Sequence, residues 1–293
     1  LNDETRIQLH KLEESGPLRR LMIVPNDYPA KCRDLEARFP NFSGYINDYL
    51  LPSLALSHVR KSSFQLPPTV FVGSPGVGKT LFVSAVAESF LLDFERVNLE
   101  TSQASMEFVG TSRGWSNAQP GLLFRWLVRT EFANGIFAME ELDKSDDKNS
   151  RNQIANSLLQ LLEPTTSKSF GDLSIPELKL DLSKINFMFT ANTLEGIPPA
   201  VMSRVIAFDV PDLTPLQAKN VAIRQYEDML NDLNLPIAAP KLTQEGLTLL
   251  SSESPRRQRL LLQLAIGSAV YKKSKELVIH KVSKPKKGIG FVI

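Results

Sequence analysis

The chain holds a single cysteine, Cys32, in 293 residues. An internal disulfide is thereby excluded, and such sparing use of thiols fits a reducing cytoplasm. Histidine is nearly as scarce. His10, His58 and His280 follow neither a zinc spacing nor a nucleophile–base cluster, so metalloprotease and triad chemistry lack their residues. No uninterrupted apolar run approaches the ~20 residues that a membrane-spanning helix needs, and no signal peptide is expected. Neither sign of charge prevails: 34 basic against 32 acidic residues leave +2, too little to argue for nucleic acid as a partner. No repeat of solenoid period is visible. What remains is an ordinary globular composition, long enough for one large and one small domain.

Against that background one segment carries specific chemistry: Gly73-Ser74-Pro75-Gly76-Val77-Gly78-Lys79-Thr80. It follows a β-rich run, Thr69–Val72, and opens a helical pattern, Leu81–Leu92. That order of strand, glycine loop and helix is the context a phosphate-binding loop requires. Glycines let successive N–H groups turn inward around phosphates, and a helix N-terminus adds partial positive charge. Lys79 would then reach the β- and γ-phosphates, and the Thr80 hydroxyl would ligate Mg²⁺. A bound ATP or GTP is the expectation.

Hydrolysis needs more than a phosphate loop. Ile136-Phe137-Ala138-Met139-Glu140-Glu141 reads as a buried strand ending in two carboxylates, at the sheet edge where α/β proteins hold ligands. The usual order is Asp, for the Mg²⁺ shell, then Glu, to polarise the attacking water. Here Glu140 takes the first position, one methylene longer, which weakens it as a residue for a metal demanding tight octahedral geometry. Glu141 is the expected catalytic base.

Strand-like runs Phe94–Leu99, Gly135–Glu140, Ile185–Ala191 and Val205–Val210 alternate with helical ones around Gly121–Thr130 and Asn152–Leu162, which predicts a parallel sheet covered on both faces. Residues 1–40 read as a leader broken by prolines. Residues 41–211 form the α/β domain and begin with helices interrupted at Pro52. Residues 212–281 are helical without a strong strand, and Thr214 before Pro215 is a good N-cap. Residues 282–293 form a basic tail.

Several motifs together resemble the AAA+ ATPase module of the Lon protease family. They are Phe137-Ala138-Met139-Glu140-Glu141-Leu142-Asp143-Lys144, Ser157-Leu158-Leu159-Gln160-Leu161-Leu162-Glu163-Pro164, Phe187-Met188-Phe189-Thr190-Ala191-Asn192 and Ile197-Pro198-Pro199. The resemblance implies an α/β fold, a three-layer αβα P-loop NTPase domain with a parallel sheet followed by a small all-helical lid domain. It makes Asn192 the sensor 1 residue and Arg204 an arginine finger that acts on a neighbouring subunit's nucleotide. Arg256 in Ser254-Pro255-Arg256-Arg257 matches sensor 2, a role that Arg257 or Arg259 would fill equally. Gly114-Trp115-Ser116-Asn117 aligns with the loop that carries an aromatic into a central pore, where Trp115 would grip polypeptide; packing beneath the loop is the alternative. The Lon family follows this module with a peptidase domain, for which no room is expected before Ile293.

The implied protein is a cytoplasmic, Mg²⁺- and ATP-dependent unfoldase or remodeller. It would assemble with copies of itself as a hexameric ring or spiral and act on a polypeptide or a separate partner protein. Two alternatives stand beside it. One is a slow ATP-dependent switch or assembly factor, motivated by Glu140; the other is a clamp-loader-like, DNA-processing ATPase, which the near-neutral charge disfavours.

Overall fold

The computed structural model describes residues 3–99, 109–112, 118–144, 148–233 and 240–280. The chain divides into two compact units, Leu1–Asp212 and Leu213–Ile293. In the first, five short strands form one sheet: β1 (Thr69–Val72), β2 (Phe94–Asn98), β3 (Ile136–Glu140), β4 (Asn186–Ala191) and β5 (Ile206–Asp209). Their order is β2-β3-β4-β1-β5, and every pairing is parallel. The expected α/β sheet is therefore present.

Side chains alternate across a strand, so a sheet covered on both sides sends neighbouring residues into different cores. Val70 and Val72, Phe137 and Met139, and Phe187 and Phe189 join one cluster with Trp126 and Phe124. Phe71, Ile136, Ala138 and Met188 join another with Phe42, Tyr45 and Phe82. Helix α5 (Leu122–Arg129) covers the first face with Leu123, Phe124, Trp126 and Val128. Helix α4 (Lys79–Ser89) covers the second with Phe82, Val83 and Val86. Helix α6 (Lys148–Leu162) begins four residues earlier than the pattern from Asn152 predicts.

Residues 3–40 are built into this unit. Helices α1 (Asp3–Ser15) and α2 (Tyr28–Arg38) flank an extended stretch. There the buried Asn134 amide brackets Met22, accepting from its N–H at 2.8 Å and donating to its carbonyl at 2.9 Å. The Arg19 guanidinium donates to the Leu127 and Val128 carbonyls, both at 2.9 Å. Prolines that read as breaks separate segments whose partners lie more than a hundred residues away. Nor does Pro52 interrupt its helix. It lies in the first turn of α3 (Leu51–Val59), where no N–H is needed, after a π-helical turn Ile46–Leu50.

The second unit packs α7 (Pro215–Leu233), α8 (Gln244–Leu250) and α9 (Pro255–Lys272) around Leu250, Leu262 and Ile266. Thr214 and Gln217 cap α7 reciprocally: Thr214 Oγ1 accepts from the Gln217 N–H at 3.3 Å, and Gln217 Oε1 accepts from the Thr214 N–H at 3.0 Å. Buried Gln258 ties α9 to its neighbours by donating to the Ala218 and Leu250 carbonyls, each at 2.9 Å. One feature departs from the all-helical expectation. Lys241–Leu242 and Glu276–Leu277 pair in parallel, two residues each, too short to leave a periodicity. The basic stretch 282–293 lies outside the described residues. No helix among the described residues is long and apolar enough to cross a membrane.

Candidate nucleotide site

The loop leaves β1 at Val72 and enters α4 at Lys79. Gly73 must be glycine for reasons of space: a Cβ there would lie 2.7 Å from the Val210 carbonyl oxygen, beyond the end of β5. Gly78 has φ +103°, a conformation L side chains rarely adopt, and a Cβ there would meet no atom within 4 Å. Buried Asn41 braces the loop, its Nδ2 donating to the Val77 carbonyl at 3.1 Å and to the Pro211 carbonyl at 3.3 Å. No side chain caps α4, so the first-turn amides keep their capacity for an anion.

Lys79 is buried in the mouth of this loop. Its ammonium donates to the Gly73 carbonyl at 2.7 Å, the Ser74 carbonyl at 3.2 Å and Asn192 Oδ1 at 3.2 Å. Burial holds its pKa below the ordinary lysine value, while the carboxylates of Asp143 and then Glu141 pull it back up. The contact with Asn192 follows from strand order. Strand β4 runs between β1 and β3, with Ala191 beside Val72, so the residue after β4 emerges between the phosphate loop and the acids of β3.

Glu140 is the last residue of β3, its side chain 17% exposed, and Oε1 lies 3.9 Å from Arg96 Nη1. Glu141 turns the chain with φ +59°. For a non-glycine residue that conformation costs of order 1–3 kcal/mol and is found chiefly at functional sites. The turn is stitched to β4: the Glu141 N–H donates to Thr190 Oγ1 at 3.4 Å and the Leu142 N–H to the Thr190 carbonyl at 3.0 Å. Lys144 Nζ lies 3.0 Å from Glu141 Oε1. Asp143 Oδ2 accepts from the Asn192 and Thr193 N–H groups at 3.1 and 3.3 Å. Asp143 and Thr190 stand inside the motifs that carry the family resemblance. Their roles were invisible because they depend on hydrogen bonds across about fifty residues of chain.

Thr80 lies in the first turn of α4. Among the described residues, Glu140 Oε1 and Asp143 Oδ1 are buried without a hydrogen-bond partner. Acceptors left dry in this way, beside an uncapped helix start and an ammonium held by loop carbonyls, match a hydrated cation and a polyphosphate. The residues fit. Among the described residues, no group of three or more His, Cys, Asp or Glu is placed to hold a metal ion by itself.

Arg204, Arg256, Trp115 and Ser116 are the other expected residues. Arg204 is exposed and held by its own surroundings: Nη1 donates to the Ala200 carbonyl at 2.9 Å, and Nε lies 3.5 Å from Glu163 Oε2. Arg256 belongs to the second unit, in the first turn of α9. Of its two rivals there, Arg257 is paired to Glu253 at 3.0 Å, whereas Arg256 and Arg259 are exposed. Trp115 and Ser116 lie outside the described residues. The chain on either side of them is pinned, the Thr111 N–H donating to the Gln119 carbonyl at 3.0 Å and the Gln119 N–H to Thr111 Oγ1 at 2.7 Å.

With this geometry in place, comparison with known proteins is specific. Residues 69–211 match the family model described as "ATPase family associated with various cellular activities (AAA)". Over 192 residues the chain is 32% identical to "Lon protease homolog 2, peroxisomal" of Zea mays, an overlap of 62% of this chain and 21% of that protein. It is 33% identical over 179 residues to the Lon protease of Dictyoglomus thermophilum, covering 60% of this chain and 22% of that protein. The match thus spans about a fifth of the length of these curated relatives. From β1 to just beyond β5 the chain thus carries an AAA domain, similar to a region of the Lon proteases.

Proposed function

We propose that the chain binds and hydrolyses ATP with Mg²⁺ and uses the cycle to remodel polypeptide as a ring or spiral of identical subunits. The observation that carries the first half is the convergence of Lys79, Asn192 and the Glu140–Asp143 turn at one end of three neighbouring strands. In this reading the amides of Gly76 to Lys79 and the start of α4 bind the phosphates, and Lys79 leaves its loop carbonyls for the β- and γ-oxygens. Thr80 and Glu140 would hold Mg²⁺, which supplies charge neutralisation on the phosphates. Glu141 polarises the attacking water, Asn192 orients it, and Arg204 of a neighbouring copy stabilises charge on the leaving phosphoryl group. Arg256 leans on the phosphates from the helical unit. Trp115 and Ser116 contact the polypeptide, and the compartment is the cytoplasm.

The polypeptide half rests on relatedness to Lon proteases and on the aromatic at position 115. Its test is Trp115→Ala, which should keep ATP hydrolysis and lose unfolding of a tagged substrate; unfolding at the original rate would contradict the pore grip. Sharing of sites between subunits is tested by mixing. Arg204→Ala and Lys79→Ala chains, each inactive alone, should regain hydrolysis together, and a mixture no better than its parts would refute the finger. A slow switch is the second reading, favoured by the longer Glu140 and the Lys144–Glu141 bridge. It predicts low turnover in the unaltered chain, unrelieved by any polypeptide.

A further inference from the structure

We infer that Asp143 is the positioning residue for the γ-phosphate sensor, fixing where Asn192 stands against Lys79. The inference rests on the reading of Asn192 as that sensor. Strand β4 loses its neighbours as it ends: its last partner on β3 is Met139, opposite Phe189, and its last on β1 is Val72, opposite Ala191. The next two amides, of Asn192 and Thr193, therefore have no strand to bond. One oxygen of Asp143 accepts from both, at 3.1 and 3.3 Å. A carboxylate gripping two successive N–H groups fixes the backbone from which the Asn192 side chain projects.

Asp143 is itself held. The turn that carries it is closed by the Lys144 N–H donating to the Glu141 carbonyl at 2.9 Å, and is tied to β4 through Leu142 and Thr190 at 3.0 Å. A continuous path results: the turn after the acidic strand, the Asp143 carboxylate, the Asn192 backbone, the Asn192 amide, the Lys79 ammonium. The three acceptors that Lys79 engages include Asn192 Oδ1. When Lys79 turns to a terminal phosphate this acceptor is released, and Asn192 can serve the phosphate only if its backbone stays where Asp143 puts it. ADP lacks the γ-phosphate and does not call on that placement.

The consequence is selective, which separates positioning from a mere strand-end cap. Fluorescent ATP and ADP analogues titrated with Mg²⁺ into the full chain should show Asp143→Ala losing about tenfold in ATP affinity and no more than about twofold in ADP affinity. Asp143→Asn keeps one carbonyl acceptor and should fall between the two, so it preserves the test if the alanine variant does not fold. The double variant with Asn192→Ala should bind ATP no more weakly than Asn192→Ala alone. Equal losses for ATP and ADP, or a double variant with additive loss, would overturn the inference. Should Asn192→Ala itself bind both nucleotides as the unaltered chain does, the sensor reading fails instead, and the inference falls with it.

Discussion

The loop Gly73–Thr80 offers a phosphate its backbone, whereas the turn Glu140–Lys144 works through side chains anchored on a different strand. The loop's shape comes from glycine φ values and close approach, as at Gly78 and Gly73, with Asn41 as a brace. The turn needs Thr190 and the Asn192 and Thr193 amides to hold it, and carries its strain at Glu141. Backbone cradles are written in consecutive residues; side-chain networks are assembled only by the sheet. Binding common to ATP and ADP should therefore belong to the loop, and rate together with the preference for ATP to the turn.

The largest effect expected from this contrast is on Glu141→Gln. It should lower phosphate release by about 10²–10⁴-fold, the usual worth of a positioned base, with ATP binding retained. Loss of binding in step with rate would break the contrast. On the loop side, Lys79→Ala should weaken ATP binding about tenfold to a hundredfold, since hydrogen bonds to charged groups are worth about 1.5–3 kcal/mol. Its melting temperature should hardly change, because the ammonium is already penalised by burial.

A smaller, more diagnostic change is Glu140→Asp. If the extra methylene hinders the ion, this variant should release phosphate several-fold faster, by about 1 kcal/mol of barrier, and need less Mg²⁺ for half-maximal rate. An unchanged rate would show that Glu140 does not limit turnover.

The mildest test is of pH. Lys79 loses its proton below the 10.5 of an ordinary lysine, because burial disfavours the charged form. The charged form is the one that holds phosphate. Affinity for ATP should then decline with rising pH before 10.5 is reached, and Lys79→Arg should flatten that decline. A decline of the same form in the arginine variant would place its cause elsewhere.

Much of the architecture was legible because it is local. Thr69–Val72, Ile136–Glu140 and Asn186–Ala191 are apolar runs with no alternation, the mark of strands buried on both faces. The phosphate loop is a contiguous pattern, and the acids follow their strand directly. What escaped has partners remote in sequence. Asn41 reaches Val77 and Pro211; Asn134 reaches Met22 and Phe64; Asp172 accepts from the Gly121 N–H at 2.7 Å. Each is a buried polar side chain whose type hints at a hydrogen bond without naming its partner. The first forty residues escaped for the same reason, since their breaks are local and their anchors are not.

Everything above depends on one Mg-ATP site where the loop and the turn meet. A calorimetric titration of the full chain with a non-hydrolysable ATP analogue measures this, repeated with Mg²⁺ chelated and with Lys79→Ala. A single saturable site per chain is expected, weakened by chelation and weakened further by the substitution. Absence of saturable binding, or binding indifferent to both Mg²⁺ and Lys79, would contradict it.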